Sequence, residues 1–274
     1  MARVLILSSL VAASRVGGGA QVQALARLGI DPILVPTVLY GRHPGHGPPG
    51  GRPVEAETFE AVLGGVEAAG GFEHLDAVIT GHFSSARQVA AAAEAMGRAR
   101  AASPGVRIVV DPIMGDEKEG LYVREPVAEA IAAELIPFAD VVAPNAWELT
   151  RLTGEAVTDP GAAAAAGRRL LKPTLVSSVP AGRDIGIAYV DSEVAWLAYH
   201  SRVTAPPKGT GDLVSATFVA ALVRGMAPPD ALETAAGTVA EAVRRADGGP
   251  ELPLEALPTE LTRSPRVTLE RVGV

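Results

Sequence analysis

The chain contains no cysteine. Disulfide crosslinks and thiolate nucleophiles are excluded, and a zinc site would have to be built from the five histidines and the carboxylates alone. No His-x-x-x-His spacing offers that route. Positive charge is also short: 24 Lys and Arg stand against 31 Asp and Glu, a net charge of −7. With no Lys/Arg cluster, that balance argues against a nucleic-acid surface. An acidic ligand must instead be attracted locally, by helix ends, metal ions or a few placed cations. Long apolar runs are missing too. The opening Met1-Ala2-Arg3-Val4-Leu5-Ile6-Leu7 is far too short for a signal peptide or a membrane span and reads as a buried first strand. The expectation is a soluble, cytoplasmic protein with no membrane or nucleic-acid partner. Aromatic residues make up only 4%, which carries no functional information.

What is present is an alternation of short apolar runs and helical patterns. With 274 residues and 48% hydrophobic content, one large α/β domain or two small ones could form. No second composition regime appears, so a single domain over residues 1–274 is expected. Val4–Leu7, Ile33–Val35, Ala77–Thr80, Arg107–Val110, Val141–Ala143 and Thr174–Ser177 read as strands. Gln21–Leu28, Glu57–Ala69, Ser85–Ala102, Glu125–Leu135 and Ala162–Leu171 read as helices, with Gly29 placed as a C-cap. A hairpin from Ile185–Val190 and Val194–Tyr199 follows, then helices over Leu213–Arg224 and Asp230–Arg245 and a short strand near Val267–Leu269. The alternation predicts a three-layer α/β/α sandwich around a mostly parallel sheet. The Gly/Pro segment 41–53 shows neither period and is either a flap over a site or a disordered insertion.

In such sheets ligands bind beyond the carboxyl ends of the strands, so the polar residues there carry the functional signal. The strongest is Lys208-Gly209-Thr210-Gly211-Asp212 before the apolar run Leu213 to Leu222. Glycines ahead of a helix starting near Asp212 make an anion site suited to phosphate. A carboxylate there would repel that anion unless it takes a proton from a hydroxyl attacking the phosphate; the alternative is that Asp212 only caps the helix. Asp111 and Asp116, five apart on a Pro/Gly turn, suit Mg²⁺ or water beside a phosphate, or a capped turn. Asn145 and Glu148 share a helix face, as site residues or as a capping pair. Ser177 and Ser178 could bind a nucleotide phosphate, and Ser9 could donate a hydrogen bond. Gly17-Gly18-Gly19 matches neither a dinucleotide nor a Walker motif and reads as a tight turn. Acidic strand ends without a Walker-type cation clamp imply that a metal neutralises the phosphates.

Taken in order, Asp111-Pro112-Ile113-Met114-Gly115-Asp116, Asn145-Ala146-Trp147-Glu148 and Gly209-Thr210-Gly211-Asp212 resemble the ribokinase-like vitamin kinases. Within them, Ser9, the Gly17-Gly18 turn, Thr37-Val38-Leu39-Tyr40-Gly41-Arg42-His43 and Thr80-Gly81-His82-Phe83-Ser84-Ser85 are similar to the pyridoxal kinase family. The resemblance spans nearly the whole chain. It implies that Asp212 is the general base for a hydroxymethyl oxygen and that the amides of Gly209, Thr210, Gly211 and Asp212 form the anion hole. It places Asp111, Asp116 and Glu148 around the metal and the phosphates, with Ala143, Asn145 and Lys208 beside them. Ser177 and Ser178 fall on the nucleotide side. Ser9, Thr37, His82 and the flap residues His43, Pro44 and Gly45 fall in the vitamer pocket.

It further implies ATP as co-substrate, Mg²⁺, a monovalent cation such as K⁺, and a homodimer. The reaction implied is ATP-dependent phosphorylation of the 5′-hydroxymethyl group of pyridoxal, with pyridoxine and pyridoxamine as related substrates. A hydroxymethylpyrimidine or sugar kinase of the same superfamily, and a non-catalytic vitamer-binding protein, are the alternatives. Three positions depart from the family pattern: Pro44-Gly45 where a polar residue commonly follows the flap histidine, Gly18 where Asn is common, and His82 where Tyr is usual.

Overall fold

In the computed structural model, which describes residues 1–273, ten strands form one sheet and two more form a separate hairpin. The strands are β1 (Arg3–Val11), β2 (Asp31–Tyr40), β3 (Gly51–Pro53), β4 (Ala77–Thr80), β5 (Arg107–Val110), the hairpin β6 (Gly115–Asp116) and β7 (Gly120–Leu121), β8 (Val141–Val142), β9 (Thr174–Ala181), β10 (Asp184–Val190), β11 (Ala195–Ser201) and β12 (Thr268–Arg271). The helices are α1 (Gly17–Arg27), α2 (Ala56–Ala68), α3 (Ala86–Ala102), α4 (Glu125–Ala130), α5 (Ala146–Thr153), α6 (Pro160–Arg169), α7 (Thr210–Val223) and α8 (Pro228–Ala246).

The sheet runs β12-β11-β10-β9-β8-β5-β4-β1-β2-β3. From β2 to β9 every neighbouring pair is parallel, while β3 and the β10–β12 meander pair antiparallel. Alternate residues of each parallel strand serve opposite layers, as the pleat requires. Val4 and Ile6 pack with α1, α7 and α8, whereas Leu5 and Leu7 pack with α2, α3 and α4. Both faces are therefore covered, which is why these strands read as continuous apolar runs. Helix α7 is buried on all sides from Asp212 to Leu222, matching its uninterrupted apolar sequence. The chain lays β2 on one side of β1 and β4 on the other. The ends of β1 and β4 thus frame a switch point, where such sheets bind ligands.

Several boundaries differ from the sequence reading. Helix α1 starts at Gly17, not Gln21, so the three glycines form its first turn rather than a free tight turn. Helix α7 starts at Thr210 with Gly209 as N-cap, so Asp212 stands in the first turn and is not the cap. Strand β2 extends through Thr37 to Tyr40. Segment 41–53 is not structureless: Pro44–His46 forms a 3-10 turn, and β3 pairs with the end of β2. Gly51 sits at φ +86, and a Cβ there would lie 2.0 Å from the Leu39 carbonyl oxygen, so only glycine lets β3 approach β2.

Candidate active site

A cavity of about 520 Å³ lies at the carboxyl edge of the parallel strands, large enough for small-molecule ligands. Ser9 of β1, His82 after β4, Asp111 after β5, Ala143 and Asn145 after β8, and Ser177 and Ser178 of β9 all line it. Lys208, Gly209, Thr210, Gly211 and Asp212 close one wall, and His43, Pro44 and Gly45 reach it from the flap. Asp116 and Glu148 border it as well. The structure thus brings every site residue expected from sequence to one cavity except Thr37, which is buried behind it.

Gly209 is left-handed at φ +88, and a Cβ there would lie 2.1 Å from the Arg15 carbonyl oxygen. No side chain caps α7, so its first-turn N–H groups stay available at the cavity. These groups and the helix dipole favour an anion. Asp212 lines the same wall. Its Oδ2 accepts from the Gly17 amide at 2.8 Å, while its Oδ1 is buried without a partner. Burial raises the carboxyl to about 6, against the opposing pull of the Gly17 N–H and of its own backbone amide.

Glu148, with Asn145, and Asp116 take the capping roles that the sequence left open. Glu148 Oε1 accepts from Met114 and Gly115 amides at 2.6 and 3.3 Å, and Oε2 accepts from the Asn145 amide at 2.9 Å. Asn145 in turn caps α5 through the Glu148 amide and donates to the Gly115 carbonyl at 2.8 Å. The pair is a capping box that also straps the turn after β5 to α5. Asp116 Oδ1 accepts from the Lys118 and Glu119 amides and so caps the β6–β7 turn. Asp111 is bound at Oδ2 by the Ser215 hydroxyl at 2.7 Å. Among the described residues no three His, Asp or Glu side chains come close enough to hold a metal by themselves, so Asp111, Asp116 and Glu148 do not form a ligand triad.

A divalent cation nevertheless suits this wall. Asp111 is pushed well above the usual carboxylate range by burial and then by the charges of Glu148 and Asp212. Glu148 is also raised, by burial first, despite its three N–H donors. Buried carboxylates this crowded are relieved by holding a proton or by a nearby cation, and Mg²⁺ commonly keeps its waters and takes phosphate oxygens with only one or two carboxylates.

On the far side, Gly186 pairs with Val179 and Ala188 with Val176, so Ile187 alone opposes Ser177 and Ser178. This bulge, with Ser178 at φ +61, aims both serines at the cavity. Lys208 is tied to the β6–β7 hairpin, 3.3 Å from Glu119 and 4.0 Å from Asp116. Among the described residues that line the cavity it is the one Lys or Arg.

The opposite end is built from β1, β2 and the flap. His43 Nδ1 accepts from the Gly45 amide, and its own amide donates to Ser14 Oγ. Burial and then the Lys208 charge hold its imidazole below the usual range. His82 is pushed down to about 4 by burial, so it is neutral, and its Nδ1 has no partner. Thr37 does not reach the cavity; its hydroxyl donates to the His82 carbonyl at 2.6 Å. At Gly18 a Cβ would lie 2.4 Å from Leu34 Cδ1, so a side chain there would displace Leu34. Sequence reading missed Tyr122, His200 and the apolar lining of Ile185, Ile187, Val203 and Val239. No local motif marks these positions; the β6–β7 hairpin brings in Tyr122, and the closure of β10, β11 and α8 around the cavity brings in the others.

Comparison with known proteins agrees with this geometry. The family model described as phosphomethylpyrimidine kinase matches residues 17–251. The chain is 35% identical over 249 residues to a pyridoxine/pyridoxal/pyridoxamine kinase of Bordetella avium, covering 88% of this chain and 84% of that protein. It is 35% identical over 235 residues to a pyridoxal kinase of Deinococcus radiodurans, covering 81% and 79%. Its fold matches the crystal structure of pyridoxal kinase from Entamoeba histolytica with a TM-score of 0.89 at 25% identity, over 99% of this chain and all of that one. The Leishmania donovani pyridoxal kinase in complex with ADP and pyridoxine shares the fold at a TM-score of 0.91 and 24% identity, over 99% of each chain.

Proposed function

The chain belongs to the phosphomethylpyrimidine kinase family, and we propose that it transfers the γ-phosphoryl group of ATP to the 5′-hydroxymethyl oxygen of pyridoxal. The observation that carries this is the pairing of an uncapped α7 start with the unpartnered Oδ1 of Asp212 in one cavity. The curated relatives are kinases of pyridoxal and its vitamers, which supports the choice of acceptor over a sugar.

Asp212 Oδ1 is free to accept the hydroxyl proton as the oxygen attacks the γ-phosphorus. The new O–P bond forms, the bond to the β,γ-bridging oxygen breaks, ADP leaves, and the proton ends on Asp212. Because alcohols are weak acids, the carboxylate takes that proton only as the O–P bond forms. The Gly209–Asp212 amides face the charge gathering on the transferred group, and Lys208 can exchange its carboxylate partners for phosphate oxygens. Asp111 and Glu148, with Asp116 beside them, would hold Mg²⁺ through its waters; the ion supplies charge neutralisation of the phosphates. A monovalent cation such as K⁺ is a further expectation for the same wall. The apolar end between β10, β11 and α8 suits the nucleotide base. Ser9, neutral His82 and the flap at 41–53 face the pyridine ring, and a closed flap excludes water that would otherwise take the phosphoryl group.

The whole chain then works as one kinase domain. Among the described residues no helix is long and apolar enough to cross a membrane; a cytoplasmic location is part of the same proposal. Helix α2 leaves Ala61, Val62, Gly64, Gly65 and Ala68 exposed, a small apolar face that supports pairing of two copies. Light scattering after gel filtration decides the dimer.

The deciding experiment for the reaction incubates purified protein with Mg-ATP, with and without pyridoxal, and detects the product by mass. Pyridoxal phosphate formed only with both substrates is the expected result. Phosphorylation of hydroxymethylpyrimidine or a sugar in preference would overturn the acceptor, and no product on any alcohol would favour a vitamer-binding protein.

A further inference from the structure

Gln88 takes no part in the chemistry above, yet it is the most fully engaged buried side chain near the cavity. It is completely buried in the first turn of α3. Its Oε1 accepts from both the amide and the hydroxyl of Ser84, each at 2.9 Å. Its Nε2 donates to the Thr37 carbonyl at 2.9 Å and to the Val54 carbonyl at 2.7 Å. Those two carbonyls belong to the two ends of the flap: Thr37 lies in β2, which leads into it, and Val54 follows β3, which leads out. The Thr37 carbonyl also receives the Val54 amide at 3.0 Å. Thr37 then passes the connection on, its hydroxyl donating to the carbonyl of His82 in the cavity wall.

We propose that Gln88 is a positioning residue that rivets both ends of the flap to the His82–Ser84 strand-end segment, so that flap and ring wall keep one geometry around the acceptor alcohol. The inference rests on the kinase reading of the same cavity. A plain helix-capping role would need only Oε1, because Ser84 and the N-cap Ser85 already serve the start of α3. The two Nε2 donors serve no helix group. They spend the full donor capacity of a buried amide on two chain segments 51 and 34 positions away. Losing them leaves the Val54 carbonyl without its donor and the Thr37 carbonyl with the Val54 amide alone, so the flap ends stay paired to each other but are freed from α3.

The variants are Gln88→Leu, which loses all four bonds, and Gln88→Glu, which keeps an oxygen toward Ser84 but sets carboxylate against two carbonyls. Since misplacement of about 1 Å in a substrate-holding group costs up to roughly a hundredfold, KM for pyridoxal should rise about tenfold in both, with KM for ATP changed less than about twofold. Hydrogen exchange should quicken at Gly41, Arg42 and Val54 while the amides of β5 and α7 stay at the wild-type rate. An unchanged pyridoxal KM in Gln88→Glu, or a loss of kcat with both KM values intact, would overturn the proposal by reducing Gln88 to a capping residue. If wild-type protein does not phosphorylate pyridoxal, the kinase reading fails by itself. The exchange pattern still decides Gln88: acceleration confined to the flap supports it, and uniform acceleration overturns it. Should the Gln88 variants not fold, Thr37→Val removes only the link to His82. It must raise pyridoxal KM without moving ATP KM, and wild-type values for both would overturn the coupling.

Discussion

Asp212 Oδ2 accepts a hydrogen bond from the Gly17 amide at 2.8 Å, joining two helix starts 195 positions apart in the chain. The bond uses one carboxylate oxygen to leave the other, Oδ1, free in the cavity. Gly17 can serve because it sits at φ +60, and a Cβ there would lie 2.1 Å from Ser9 Oγ. The first glycine after β1, Gly17, therefore spends its amide on the carboxylate of Asp212, the proposed base.

Asp212→Asn should lower kcat by about 10²–10⁴-fold, the usual worth of a positioned general base, while ATP still binds. The amide oxygen can keep the Gly17 bond, so the fold should persist. Steady-state kinetics with calorimetric ATP titration checks both halves, and wild-type turnover in the variant would remove Asp212 from the role of base.

The raised carboxyl of Asp212 gives a pH dependence with a definite sign. Only the ionised form accepts a proton, so kcat/KM should fall as pH drops through about 6 and level off above it. Stability runs the other way. The folded state holds the proton up to about 6, whereas the unfolded carboxyl releases it near 4, so stability declines as pH rises across that interval. Asp111 and Glu148 are raised as well and add in the same direction. At pH 7 the ligand-free Asp212→Asn protein should be more stable than wild type by about 1–3 kcal/mol, an advantage that disappears near pH 4. Thermal melts across that range provide the check.

Gly209→Ala should be far worse than Gly211→Ala. The first adds a Cβ 2.1 Å from the Arg15 carbonyl at φ +88, whereas at Gly211 nothing lies within 4 Å and φ is ordinary. To relieve the clash the start of α7 must move, taking its free amides off the phosphoryl group. Losing such donors costs about 10²–10³ in kcat. The strained backbone costs about 1–3 kcal/mol besides. Parallel kinetics and denaturation of the two variants separate these effects, and equal behaviour would show that Gly209 is not needed for its conformation.

How much of this was legible in the sequence depended on where the causes lie. The parallel strands announced themselves because burial on both faces makes them continuous apolar runs, as in Val4–Leu7 and Ala77–Thr80. The Gly209–Asp212 site was legible because its parts are adjacent in the chain. Strand β3 was not, since Gly51, Arg52 and Pro53 are all exposed and carry no alternation; pairing with β2 alone makes it a strand. Thr37 was assigned to the pocket by sequence order, but the pleat turns it to His82 and α3. Gln88 gave no signal because its partners lie in two other strands' neighbourhoods.

Glu148→Gln tests whether that acid acts first as a strap or first as a ligand. Its carboxylate gathers the Met114, Gly115 and Asn145 amides, all donors. Exchanging one oxygen for NH₂ sets donor against donor at a fully buried position, and each unsatisfied group costs about 1–3 kcal/mol. The turn after β5 would loosen, and with it Asp111, Asp116 and the hairpin that holds Lys208. Denaturant midpoint should fall and KM for ATP should rise together, while kcat drops less than in Asp212→Asn. Extra Mg²⁺ should not restore the stability of the ligand-free variant, because the lost bonds are to backbone amides. A variant as stable as wild type, with weakened Mg²⁺ dependence as its only defect, would instead make Glu148 a ligand whose backbone bonds are incidental.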